Sequence, residues 1–197
     1  MEKSGHGGTA VRLGNMGDLI VSELHGRYYE SAYRRNRFYA ANPTGVTTLA
    51  YTSGTTVTDL GICLSNPVGN TFNLVVDKIG VAFPVINTTV NTAIVAVGYN
   101  SSTNVTHTTA LTPGSLFVGV GPTPTGKVDS SFTVPTALIT AVQLISMGSA
   151  TTLPTQGLFD LEGSIVLPPG AYLVVTTTAA SPASGFQASI FWEEVPV

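Results

Sequence analysis

From Pro43 onward the chain is a succession of short Val, Ile, Thr and Phe runs separated by clusters of Gly, Pro, Asn and Ser. The runs read "GVTTLAYTS", "LGICLS", "FNLVVDKIGVAFPV", "TAIVAVGYN", "SLFVGVG", "ALITAVQLISM", "SIVLPPGAYLVVTTT" and "FQASIFWEEV". β-Branched and aromatic residues suit a pleated surface, and the punctuating residues supply turns. No helical interlude separates the runs. The pattern predicts an all-β domain over residues 43–197, an antiparallel β-sandwich or jelly roll of eight or nine strands. In "FNLVVDKIGVAFPV" the period of two places Val75, Ile79, Val81 and Phe83 on one face and Lys78, Gly80 and Ala82 on the other. Asp77 breaks the rule by falling on the apolar face. Pro169-Gly170 fits the centre of a type II turn, which predicts a hairpin between Ile165–Leu167 and Tyr172–Val174. "SNPVGNTFN" is a second turn between strands.

The segment before Pro43 has a different texture. Residues 1–17 are rich in Gly and offer little to bury, so a flexible tail is expected there. Residues 18–42 form an arm. Asp18 is placed to cap a short helix on which Ile20, Leu24, Tyr28 and Ala32 recur every fourth position, with an extended arm as the alternative. Within it, "GRYYESAYRRNRFYAAN" packs four tyrosines, one phenylalanine and four arginines into seventeen residues. Residues 1–42 sum to +2 while residues 43–197 sum to −5, so the arm is electrostatically distinct from the body. An excess of two charges is too small for a nucleic-acid interface. Tyrosine and arginine are instead the residues that dominate protein contacts, the ring by area and the guanidinium by stacking or by a fork onto a carboxylate. Arg27, Tyr28, Tyr29, Tyr33, Arg34, Arg35, Arg37 and Phe38 are the partner-binding candidates, docking on the β-domain itself, a sister subunit or another protein.

Charged residues make up only 10% of the chain, against roughly 25% in an ordinary soluble domain. Hydroxyl-rich surface together with surface buried between subunits accounts for such a deficit, which points to a homo-oligomer. The stretch from Ile79 to Gly126 carries no Asp, Glu, Lys or Arg, yet Pro, Asn, Gly and Thr interrupt it throughout, so it is not a membrane span. The N-terminus has no apolar h-region, so synthesis in the cytoplasm is expected.

Catalytic signatures are missing. There is no G-x-S-x-G, Walker A, H-E-x-x-H, G-x-G-x-x-G or EF-hand pattern. His6, His25 and His107 are isolated from one another, and nothing in their spacing builds a metal site. Cys63, the single cysteine, reads as a small core residue. Asp160 and Glu162 alternate along a strand, and Glu193 and Glu194 precede the terminal "VPV". Both pairs read as solvated charges near strand ends. The sequons at Asn87, Asn100 and Asn104 are what a Thr-rich chain produces by chance. No enzymatic activity, cofactor or metal is expected.

The order of "GDLIVSELHGRYYESAYRRNRFYAAN", then "GICLSNPVGNTFNLVVDKIGVAF", the "LPPG" turn and the ending "FWEEVPV" resembles a family of tailed-bacteriophage structural proteins encoded beside head genes. The resemblance spans roughly residues 17–197. It implies a virion component without enzymatic activity, a head decoration (cement) protein on the capsid exterior. It also implies a symmetric β-rich oligomer, a trimer before a dimer, bound to the major capsid protein or another virion protein. The alternative is a receptor- or glycan-binding tip of a fibre or baseplate, in which Tyr99, Tyr172 and Trp192 would offer stacking faces to sugars.

Overall fold

A computed structural model of the chain describes residues 32–51, 58–86, 91–136, 140–145, 155–183 and 185–197. Among them are eleven strands: β1 (Arg37–Ala41), β2 (Thr58–Ser65), β3 (Phe72–Phe83), β4 (Ala93–Tyr99), β5 (Thr106–Ala110), β6 (Gly114–Ser115), β7 (Lys127–Thr133), β8 (Thr140–Ile145), β9 (Thr155–Leu167), β10 (Ala171–Thr177) and β11 (Gln187–Pro196). They form a five-stranded sheet, β6-β1-β11-β3-β9, and a six-stranded sheet, β5-β7-β2-β10-β4-β8. Every pairing is antiparallel.

The sheets share a core to which both contribute inward residues. Phe38, Leu74, Ile79, Phe83, Ile190 and Trp192 come from the first sheet, and Ile62, Leu64, Val95, Leu173 and Val175 from the second. The protein is an all-β antiparallel sandwich, as expected. Burying each such side chain contributes about 1.5–3 kcal/mol, so this layer is the main stabilising element. The six-stranded sheet is covered on its other face as well. Cys63, Ile94, Ala96, Phe132, Tyr172 and Val174 form a second apolar cluster there with Val105, Val134 and Tyr51. All seven residues of β10 are therefore buried, and Cys63 is the core residue it was expected to be.

Several local expectations change. The tail over residues 1–17 and most of the arm lie outside the described residues, which begin at Ala32. The arm ends earlier than residue 42, because Arg37–Ala41 is strand β1, paired with β11 from Arg37↔Glu193 to Ala41↔Ser189. Among the described residues of "GVTTLAYTS" there is no strand, only single bridges at Val46 and Ala50. "SLFVGVG" is a strand only at its start, Gly114–Ser115, and then turns. In compensation, the polar runs "THTTA" and "KVDSSFT" are strands β5 and β7. Hydroxyl-rich strands, whether at the sheet edge like β5 or inside it like β7, carry little of the apolar alternation that marks a strand in sequence.

Asp77 is the extra residue of a β-bulge. Against β11 the consecutive residues Phe191 and Trp192 pair with Lys78 and Val76, leaving Asp77 over, while against β9 the pairing passes from Val76↔Ile165 to Lys78↔Asp160 at the same place. Leu74 and Val76 face the core before the bulge, and Ile79, Val81 and Phe83 face it afterwards. Val75, expected inside, is therefore outside, because one inserted residue inverts the period of two.

Pro169-Gly170 forms the expected turn: Ala171 N donates to Pro168 O at 2.9 Å and Gly170 has φ +90. It is not a hairpin. β9 lies in the five-stranded sheet and β10 in the six-stranded sheet, so the turn is an arch between layers. "SNPVGNTFN" is the matching arch from β2 to β3. Asn66 ties the two together: its side-chain amide donates to Phe72 O (2.8 Å) and Leu167 O (2.9 Å), its backbone carbonyl accepts from Gly170 N, and its backbone N–H donates to Ala171 O.

Candidate functional site

Of the eight partner-binding candidates, Arg27, Tyr28 and Tyr29 lie outside the described residues. The structure separates the other five. Tyr33, Arg34 and Arg35 are exposed, on a turn closed by Arg35 N donating to Ala32 O at 3.0 Å. Arg35 holds φ 65, a left-handed conformation that costs a non-glycine residue on the order of 1 kcal/mol.

The alternation of β1 sends Phe38 inward and Arg37 to the opposite face of the sheet, and both are buried. Phe38 sits in the sandwich core with its ring 5.9 Å from that of Trp192. Arg37 is only 2% exposed and its guanidinium meets the Asp77 carboxylate at 2.5 Å. The bulge in β3 is what brings Asp77 to that arginine. Glu193, opposite Arg37 on β11, has its carboxyl pushed above the ordinary glutamate range by burial and by the nearby Asp77, against the pull of Arg37. These two residues are engaged within the fold, whereas the turn before them faces solvent.

The turn meets a loop that the sequence did not single out. Phe117 takes the edge of the Tyr33 ring at a centroid distance of 6.0 Å, and the Arg35 guanidinium lies 5.1 Å over its face. Leu116 N donates to Arg37 O at 2.9 Å, which anchors the loop to β1. Beyond Phe117 the loop turns outward: Val118 is 84% exposed and Val120 59%. Gly119, at φ +89, makes the bend between them. Two valines presented to solvent beside a cation stacked on an aromatic ring form an apolar-cationic contact patch. The available signal was the glycine at every second position of "GVGP", which suits a turn better than a strand.

A second exposed region lies on the outer face of the five-stranded sheet. Tyr39 stacks on Phe191 at 6.4 Å and lies over Gly114, where a Cβ would collide with its ring. Beside them is an open groove of about 640 Å3 whose floor is small residues, Ala41, Gly80, Ala82 and Ser189, with exposed Leu158 at its side.

The titratable groups divide differently from the sequence reading. Glu194 is buried, not solvated: its carboxylate accepts from Thr125 N (2.8 Å), Thr125 Oγ1 (2.9 Å) and Gly126 N (2.9 Å), pinning the loop before β7. Asp160 pairs with Lys78 across the sheet at 3.2 Å, and Glu162 N donates to Asp160 Oδ1 at 3.0 Å. His107 meets Asp129. Among the described residues no group of three His, Cys, Asp or Glu could hold a metal ion, and no helix is long and apolar enough to cross a membrane. Tyr172 and Trp192, offered as sugar-stacking faces, are both buried, on opposite faces of their sheets, and only Tyr99 is exposed.

Comparison with protein-family models, with curated proteins and with solved structures finds no match.

Proposed function

We propose that this chain is a non-enzymatic structural protein of a bacteriophage virion, a decoration protein that binds the capsid exterior after synthesis in the host cytoplasm. It docks on the major capsid protein, or another virion protein, through the patch of Tyr33, Arg34, Arg35, Phe117, Val118 and Val120. The observation that carries this reading is the outward presentation of Val118 and Val120 beside Arg35 and Phe117. Apolar side chains on a loop tip gain nothing for the monomer, and they gain the usual burial energy once a partner covers them. The adjacent arginines select an acidic rim on that partner.

The strand order supports a jelly roll within the sandwich. Without β5, β6 and β7, the sheets read β1-β11-β3-β9 and β2-β10-β4-β8, with the chain crossing between layers as two interleaved Greek keys do. The arrangement recurs in viral capsid and lectin domains, so it fits the role without defining it. Low charge and the outer face of the five-stranded sheet, with Tyr39, Phe191 and Leu158, support a homo-oligomer, a trimer before a dimer. Nucleic acid and membrane are not partners in this reading.

The test is binding of purified protein to capsids that lack it. Deleting the whole of residues 1–42 would also unfold the domain's edge, because it takes away β1 with Phe38 and Ala40, so point variants are used. A Val118→Asp/Val120→Asp double variant keeps every strand and is expected to weaken capsid binding by about a hundredfold, near 1.4 kcal/mol for each buried valine. Full-affinity decoration by that variant would remove the patch from the docking surface. Absence of the chain from purified particles by mass spectrometry would remove the virion reading itself.

A further inference from the structure

A cavity of about 200 Å3 opens on the outer face of the six-stranded sheet, and nothing in the docking patch uses it. Ser65 and Tyr172 lie along it from β2 and β10, Asn104 and Val105 from the chain entering β5, His107 from β5, and Lys127 from the start of β7. No carboxylate lines it.

His107 is fixed from behind. Its Nδ1 meets Oδ2 of Asp129, which is completely buried. The other carboxylate oxygen, Oδ1, has no hydrogen-bond partner among the described residues, so the imidazole is what compensates this carboxylate. Burying a carboxylate costs several kcal/mol, and in the exposed edge strand "THTTA" a threonine would complete the backbone ladder equally well. What Asp129 supplies is a fixed ring orientation: it accepts from Nδ1–H and leaves Nε2 for a ligand.

The charge distribution of the domain points the same way. Residues 43–197 contain two basic side chains, Lys78 and Lys127, against seven carboxylates. Lys78 is paired with Asp160. Lys127 forms no ion pair among the described residues, and it lines this cavity. Asn104 accepts from Val68 N through Oδ1 at 2.7 Å, which leaves its amide N–H groups as further donors. In an acidic domain, a cavity free of carboxylates therefore gathers an ammonium, an amide donor and an imidazole backed by a buried anion.

We propose that this cavity binds a small oxyanion, the carboxylate or phosphate group of a ligand, between the Lys127 ammonium, the Asn104 amide and the edge of the His107 ring that Asp129 holds from behind. The volume suits a group of this size and is smaller than a drug-sized pocket. The site is independent of the capsid-docking reading.

The experiment is calorimetric titration of the full chain in chloride-free buffer with inorganic phosphate, with acetate, and with glycerol as the uncharged control, while imidazole resonances are followed by NMR. Phosphate, acetate or both are expected to bind and to shift the His107 resonances, glycerol is not, and the tighter anion identifies the ligand class. Lys127 is exposed, so Lys127→Gln folds, and it is expected to weaken binding by about tenfold. His107→Gln weakens it further. The proposal fails if neither anion moves the His107 resonances, or if Lys127→Gln binds as tightly as the parent.

Discussion

At the residue scale, Arg37 and Asp77 are the side chains whose role changed most between sequence and structure. Arg37 was grouped with its neighbours as a contact residue, and Asp77 looked like an exception to an alternating strand. They form one buried pair, and its consequence for stability is large in one direction only. Arg37→Ala leaves the Asp77 carboxylate buried without its cation, and chemical denaturation is expected to show a loss of about 3–5 kcal/mol. The double replacement Arg37→Ala/Asp77→Ala is expected to lose less than the sum of the two single ones by at least about 1 kcal/mol. An arginine reserved for a partner would give no change in the isolated protein. Glu193 adds a dependence on pH. Its folded pKa lies above the ordinary value of 4.5, so between those two values the native state binds more protons than the unfolded chain. Stability then falls as pH rises through that window, and the penalty persists above it. Glu193→Gln is expected to raise the melting temperature at neutral pH and to flatten its slope just above 4.5. An unchanged slope would mean that burial of this carboxyl is relieved in solution.

At the element scale, turns were legible and pairings were not. Pro169-Gly170 announced its turn because proline presets φ and glycine accepts the positive φ that follows, and both conditions are local. Whether the flanking strands then pair or part is decided by what they meet. β10 finds β2 and β4, and β9 finds β3, so an arch was read as a hairpin. Asn66 illustrates the same gap: its type marks a turn, but its bonds to Phe72 and Leu167 depend on two arches that lie far apart in sequence. "KVDSSFT" escaped notice because its buried positions include Asp129 and Ser130, which alternation rules count as exposed. Gly170→Ala tests the arch. A Cβ there would stand 2.4 Å from Asn100 O on a backbone at φ +90. Both effects act together, and equilibrium unfolding is expected to show a loss on the order of 2 kcal/mol or more. A hairpin turn facing open solvent would lose only the backbone part, so a loss well under 1 kcal/mol would contradict the close approach.

At the scale of the whole molecule the two sheets are unequal, and that inequality connects the low charge to assembly. The six-stranded sheet has apolar clusters on both faces, so its outer side is already provided for within the chain. The five-stranded sheet has one face in the shared core, and on the other it exposes Tyr39, Leu158, Val166 and Val195, with Leu158 at the side of a groove floored by small residues. Its central charges, Lys78 and Asp160, neutralise each other, which lowers the desolvation needed to cover the face. In the proposed oligomer a second copy covers it. The loop proposed for capsid docking, with Val118 at its tip, does not line that groove, so the two surfaces can be altered separately. Light scattering is expected to return a multiple of the 20.4 kDa chain mass. Leu158→Lys introduces a cation into the apolar face and is expected to lower that mass, with unchanged circular dichroism, because Leu158 contributes little to the monomer. Val118→Asp/Val120→Asp is expected to leave the mass unchanged while capsid binding falls. A parent protein of 20.4 kDa in solution, or a Leu158→Lys variant that assembles as the parent does, would place the self-association surface elsewhere.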